Sequence, residues 1–320
     1  MLTLVVATLV ATPLCAQTYS LPSTLDNGPM VAPPGSEPMI VPPGDYIDVD
    51  QYIDPATPYG GPSSGGGEEW CSQLLPSSLI YRSYLASTKE SRMYGGVDVV
   101  DDDSTLWNAT VGSRLGIFRY GTEGYILPDG WQLDVEGSAQ VRLDVPEDVD
   151  VRSVDFRGGI PLTYGMGAHR FKFGYYHLSS HLGDEFLLKN PGYNRLNFAR
   201  DVMVFGYSYY VTPNLRLYGE AGWAFYTIVS EPWEFQAGID YAPQQRTGIR
   251  GAPFFALNGH VRQELDFGGN FTAQAGWAWR GDDSARLLRI GVQYFNGKNN
   301  QYSFCFDNAE MIGAGVWYDF

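Results

Sequence analysis

The sequence predicts an all-β protein: a transmembrane, antiparallel, up-and-down β-barrel of about twelve strands behind a disordered amino-terminal segment. Three observations predict it. From about residue 78 onward, short segments alternate apolar and polar residues. Aromatic residues make up 15% of the chain and glycines number 38, a composition that favours strands and turns over helices. The final segment is itself aromatic and ends on Phe320.

Alternation with period two puts successive side chains on opposite faces of a strand. Trp131, Leu133, Val135, Ala139, Val141 and Leu143 fall on one face, with Gln132, Asp134, Glu136, Ser138, Gln140 and Arg142 on the other. Trp107, Ala109, Val111, Leu115 and Ile117 form a second apolar row, and Leu215, Leu217, Ala221, Trp223 and Phe225 a third. Phe271, Ala273, Ala275, Trp277 and Trp279 oppose Thr272, Gln274 and Arg280, and the row from Phe255 opposes Asn258, His260, Arg262, Glu264 and Asp266. A soluble sandwich also alternates. Here nearly every strand carries an apolar row about ten residues long with an aromatic near one end, as lipid-spanning strands with aromatic girdles do. The polar rows then line the lumen.

The expected strands lie near 78–88, 104–120, 131–143, 151–165, 169–182, 196–212, 215–227, 233–242, 253–267, 270–281, 285–296 and 311–320. Tight turns at 165–167 and 212–214 suit the periplasmic side, and long stretches near 89–103, 184–195 and 297–310 suit the external side. The connections at 244–251 and 267–270 do not fit that scheme.

The amino-terminal region divides differently. Residues 1–16 are an apolar run too short to span a bilayer as a helix, and read as an export signal. Residues 17–68, rich in Pro, Gly, Ser and Asp, read as a disordered periplasmic linker. Residues 69–320 are left for the barrel, which is expected in a bacterial outer membrane. Beyond the signal remain Cys71 and Cys305. A disulfide between them would require the amino-terminal segment to thread the lumen as a plug. Neither they nor the four histidines have metal-site spacing. The net charge of −15 excludes nucleic acid as a partner, since no basic patch could neutralise phosphates.

The carboxy-terminal Gly315-Val-Trp-Tyr-Asp-Phe320 resembles the signal read by the outer-membrane barrel assembly machinery. That machinery, through Phe320, and outer-membrane lipids are the expected partners. The chain from about residue 70 also resembles a family of bacterial outer-membrane proteins known only as a domain of unknown function. Tyr176-His-Leu-Ser-Ser-His-Leu-Gly-Asp-Glu-Phe186, Phe205-Gly-Tyr-Ser-Tyr-Tyr210, Gly276-Trp-Ala-Trp-Arg280 and Tyr294-Phe-Asn-Gly297 carry the resemblance. It implies a barrel and no stated activity.

A narrower resemblance concerns His177-Leu-Ser179, which is similar to the His-x-Ser of outer-membrane phospholipase A and the lipid A deacylase barrels. It implies a lipid-facing serine hydrolase and, for the phospholipase, calcium. Both families carry Asn after the serine, where this chain has Ser180. Ser179 would be nucleophile and His177 base, with Asp201 or Asn197 orienting the imidazole, since all four share the lipid-facing phase of their strands. Asp184 and Glu185 read as loop surface or as calcium ligands. No cofactor is expected otherwise. The remaining reading is a non-catalytic barrel, structural or a narrow small-solute pore, with a lumen in which charges of both signs pair across strands.

Overall fold

The computed structural model describes residues 69–100, 104–124, 126–281 and 285–320. The amino-terminal residues 1–68, on which the expected signal and linker fall, lie outside these. Twelve antiparallel strands form a closed wall: β2 (Met93–Val100), β3 (Thr105–Gly121), β4 (Gly130–Asp144), β5 (Asp150–Met166), β6 (His169–Leu182), β7 (Phe198–Thr212), β8 (Leu215–Thr227), β9 (Trp233–Tyr241), β10 (Ala252–Arg262), β11 (Gly269–Arg280), β12 (Leu287–Lys298) and β13 (Asn308–Asp319). Each pairs with its sequence neighbours, and β13 pairs with β2 to close the ring. Closure leaves the wall without open edges, which is what permits strands to cross lipid. A short helix, α1 (Asp184–Lys189), sits between β6 and β7.

An extra strand, β1 (Cys71–Leu74), lies against β3. β2 pairs only with β3 residues Thr105–Thr110, so the far end of β3 is free to take β1 at Phe118–Gly121.

The faces divide as the alternation predicts. Val111, Phe173 and Ile312 are 59%, 53% and 62% exposed, whereas Asp134, Arg142 and Arg289 are buried. Buried here means facing the lumen. Arg114 pairs with Asp134 at 2.7 Å, Arg157 with Glu136 at 3.1 Å and Arg262 with Glu264 at 3.0 Å, and Lys172–Glu220 and Arg216–Asp240 pair as well. These pairs offset much of the cost of removing the charges from water.

The strand count of twelve comes from two departures that cancel. Residues 78–88 are not a strand. The chain leaves β1 at Leu75, whose φ of 49° is in the left-handed region, and residues 76–92 enter the lumen as an irregular segment. Ile80, Tyr81, Tyr84 and Ala86 are at most 1% exposed. The first wall strand is instead β2, in a stretch expected to be an external loop. The row expected to run to residue 267 stops at Arg262, because Gln263–Leu265 make a 3-10 turn and Asp266 and Phe267 adopt positive φ. Glu264 and Asp266 are therefore turn residues. The connections at 242–251, long, and 263–268, short, are features of the fold.

Candidate functional site

Two places gather chemistry-bearing side chains: a patch on the outward face of β6 and β7, and the filled lumen.

β6 and β7 pair in register, with His177 opposite Asp201 and Ser179 opposite Ala199. His177 Nδ1 and Asp201 Oδ1 are 2.9 Å apart, and the Tyr175 hydroxyl donates to the same oxygen at 2.6 Å. The His177 side chain is 47% exposed on the outer surface. Ser179 follows on the same face and is half-buried, but its hydroxyl makes no hydrogen bond among the described residues. Asn197 lies beyond the last paired residue of β7 and is exposed. The fold thus brings His177 to Asp201 and leaves Asn197 four residues further along the strand. Asp184 and Glu185 stand exposed in the first turn of α1. Among the described residues no three His, Cys, Asp or Glu side chains are grouped to hold a metal. Tyr175, which shares Asp201, was not singled out from the sequence, although it lies on the same row two residues before His177.

The lumen is occupied from both ends. Residues 76–92 fill it from the mouth at which the chain ends. Tyr84 stacks on Tyr218 with ring centroids 3.9 Å apart and donates to Glu220 at 3.0 Å. Its hydroxyl lies 2.5 Å from that of Tyr81. A glycine at 206 makes room for this pair: a Cβ there would lie 2.9 Å from each hydroxyl. Lys89 pairs with Asp155, and Arg92 with Asp319 at 3.3 Å.

From the opposite mouth the β12–β13 connection, residues 299–307, folds inward. Gln301 through Cys305 are all buried. Tyr302 packs on Phe198, with Arg262 over its ring at 4.5 Å and Lys89 at 4.6 Å. Ser303 and Ser180 hydroxyls meet at 2.7 Å. Cavities beside the inner segment measure about 40, 30 and 10 Å³, room for water molecules and not for a solute.

Cys305 is a free, buried thiol, so it does not pair with Cys71. Cys71 stays in β1 beside Gly121, at the mouth where the chain ends, and it is the residues after it, 76–92, that enter the lumen. Burial pushes the Cys305 thiol up to about 11.

The model of a family described as a protein of unknown function (DUF1207) matches residues 89–320. The chain belongs to that family. For this DUF1207 member, the match begins at Lys89, so it takes in all twelve wall strands and only the end of the inner segment. Among solved structures the chain is similar to the KdgM porin in complex with disordered oligogalacturonate, at 11% identity over 71% of this chain and 98% of that one, with a TM-score of 0.41. It is similar also to the outer membrane phospholipase dimer of Salmonella typhi with bound calcium, at 10% identity over 76% and 98%, TM-score 0.47. Outer membrane phospholipase A from Escherichia coli aligns at 12% identity over 76% and 97%, TM-score 0.46. No curated protein matches the chain.

Proposed function

We propose that the protein is an integral outer-membrane β-barrel that works as a gated small-solute pore, held shut by residues 76–92 and by the inward fold of residues 299–307. The outward belt of Val, Phe, Ile, Leu and Trp side chains supports a lipid-embedded wall, and a closed strand wall of this kind belongs to outer membranes. Phe320 is read as the signal to the assembly machinery. The carboxy-terminal mouth is then periplasmic and the loop 299–307 external.

One observation carries the pore reading. Small barrels of about eight strands fill their interior with wall side chains, but twelve strands enclose more space than side chains occupy. Here the surplus is filled by two stretches of chain, residues 76–92 and 299–307, the first held by polar contacts, by the Tyr84–Tyr218 stack and by Leu85 and Ala86 in an apolar cluster with Phe254 and Trp317. A purely structural barrel needs no such filling.

Planar-bilayer recording tests it. The wild type should be nearly silent, and Tyr81→Ala/Tyr84→Ala, which empties the stack on Tyr218 without changing any charge, should show openings. Silence from that variant, with its folded, heat-modifiable band intact, would leave a structural barrel.

A second reading is favoured by the His177–Asp201 contact. An outward-facing imidazole oriented by a carboxylate, with a serine two residues away on the same face, suits hydrolysis of a lipid acyl ester approached sideways from the outer leaflet. Calcium held by Asp184 and Glu185 belongs to that reading alone.

A further inference from the structure

The chain carries a net charge of −15, yet the lumen is charged the other way. Among the described residues thirteen Lys and Arg are buried against eight Asp and Glu. Setting aside the inner segment's Arg82, Lys89, Arg92 and Glu90, and counting the lumen-facing Arg157, Glu136 and Glu264, the wall holds eleven cations against nine acids. Arginine keeps its charge at any physiological pH, so the surplus does not titrate away.

Wall arginines also hold the inner segment in a particular manner. Arg119 donates to the carbonyl oxygen of Ser78 at 2.6 Å, Arg216 to those of Arg82 and Ser83 at 2.8 and 2.7 Å, and Arg289 to that of Leu85 at 3.2 Å. Irregular backbone has carbonyls to offer because no ladder uses them. Arg119 and Arg142, at opposite mouths, have no carboxylate within 4.0 Å among the described residues. Arg142 meets only the side-chain oxygens of Asn108, Asn299 and Asn300 and the Met311 sulfur. If the segment moves, Arg216 and Arg289 keep Asp240 and Asp319 as partners, whereas Arg119 loses the neutral oxygens of Ser78 and has no carboxylate to replace them. An oxyanion supplies the acceptors and the missing charge together.

We propose that the lumen selects small organic oxyanions, bearing carboxylate or phosphate, and that the carbonyls of residues 78–85 occupy the positions of the solute's oxygens in the closed state. The proposal rests on the pore reading above and adds the class of solute. It predicts a selectivity opposite in sign to the chain's net charge.

The test uses full-length Tyr81→Ala/Tyr84→Ala in a planar bilayer under a KCl gradient. The reversal potential should lie toward that of chloride, and added inorganic phosphate should reduce the chloride current. Adding Arg119→Gln or, at the other mouth, Arg142→Gln should lower the anion-to-cation permeability ratio roughly twofold each and weaken the phosphate block. Acetate in place of phosphate sorts the two chemistries: stronger block by acetate assigns carboxylates, and the reverse assigns phosphates. Potassium-selective current, or indifference to both anions, overturns the oxyanion proposal and leaves the pore standing. Absence of any current overturns the pore, and this proposal with it. Should the tyrosine variant fail to fold, the wild type in graded urea, at concentrations that keep its heat-modifiable barrel band, allows the same measurement.

Discussion

Asp155 Oδ2 accepts the backbone N–H of Tyr302 at 3.0 Å and is at the same time the partner of Lys89. One wall carboxylate therefore ties the segment that fills the lumen from one mouth to the loop that fills it from the other. Displacing either should loosen its counterpart, so the two closures act as one.

Asp155→Ala should leave Lys89 buried without its carboxylate. Removing one partner of a buried pair costs about 3–5 kcal/mol, most of it from the charge left behind. The expected result is a folded band lost at lower temperature and more frequent channel openings. Lys89→Met added to Asp155→Ala should recover part of the stability, because the orphaned charge is gone. Equal melting of wild type and single variant would show that Asp155 links nothing.

Cys305 reports on the loop. Its thiol is buried, and burial raises its pKa to about 11 by disfavouring the thiolate, the reactive form. Labelling of the wild type by a thiol reagent should be slow near neutral pH and should quicken as pH rises toward that value. In Asp155→Ala the loop lifts, and labelling should accelerate roughly tenfold at fixed pH as exposure returns the thiol to its ordinary range. Identical rates in the two proteins would mean the loop stays seated.

The wall was legible in the sequence and its contents were not, for reasons visible in single residues. Trp131 to Leu143 alternates cleanly because one face meets lipid and the other the lumen. Residues 78–88 also contain Leu, Ile and Tyr at short spacing and so imitate a strand. Yet Leu79 and Ile80, Tyr81 and Arg82 are all buried, successive residues with no exposed face. That lack of a clean polar face is the signal that distinguishes a segment surrounded by wall from a segment of the wall. β2 escaped because Gly95 and Gly96 interrupt its pattern, leaving only Met93, Val97 and Val99 to mark the outward face. At Gly96 a Cβ would strike the Tyr94 hydroxyl at 2.2 Å, so the ring folded over it requires the glycine. Of the outward patch, the phase of His177, Ser179 and Asp201 could be read from alternation. The choice of Asp201 over Asn197 needed the register between β6 and β7, which no local pattern encodes.

Gly206→Leu should act on the lumen from the wall. A branched side chain there must push aside the Tyr81 and Tyr84 hydroxyls and the nearby Lys172 stem. Overpacking of this sort costs about 1–3 kcal/mol, and the inner segment yields before the hydrogen-bonded wall does. Expected are channel openings and faster proteolysis near residue 80 with the barrel band unchanged. A silent, protease-resistant variant would place the segment's anchorage elsewhere.

Phe320 packs edge-on against Tyr318, ring centroids 5.2 Å apart, just past the end of the strand that closes the ring with β2. The Arg286 guanidinium lies 5.9 Å from its ring centroid, and Phe320 itself stands beyond the last paired residue of β13, Asp319. Its deletion should therefore lower the amount of assembled barrel several-fold while leaving the melting of the assembled fraction close to wild type. Loss of stability with normal assembly would make Phe320 a packing residue and remove its role as a signal.

The outward patch yields the last prediction. If it hydrolyses lipid esters, Ser179 supplies the nucleophile, His177 takes its proton and Asp201 orients the ring through the 2.9 Å contact. In the described state no hydrogen bond joins Ser179 to His177, so an active arrangement requires the serine to turn toward the imidazole, as catalytic contacts often tighten only with substrate bound. Release of fatty acid from detergent-solubilised phospholipid and lipid A, with and without calcium, should fall to background in Ser179→Ala and His177→Ala. Asp201→Asn should keep weak activity, since the Ser–His pair survives while the ring loses its charged partner. Asn197→Ala should have no effect, because the register keeps it away from His177. Tyr175→Phe frees one lone pair of Asp201 and should alter the pH profile without abolishing turnover. Equal release by wild type and the Ser179 and His177 variants, or none by wild type in any condition, would assign the patch to the solvated rim of the barrel and leave the lumen as its functional part.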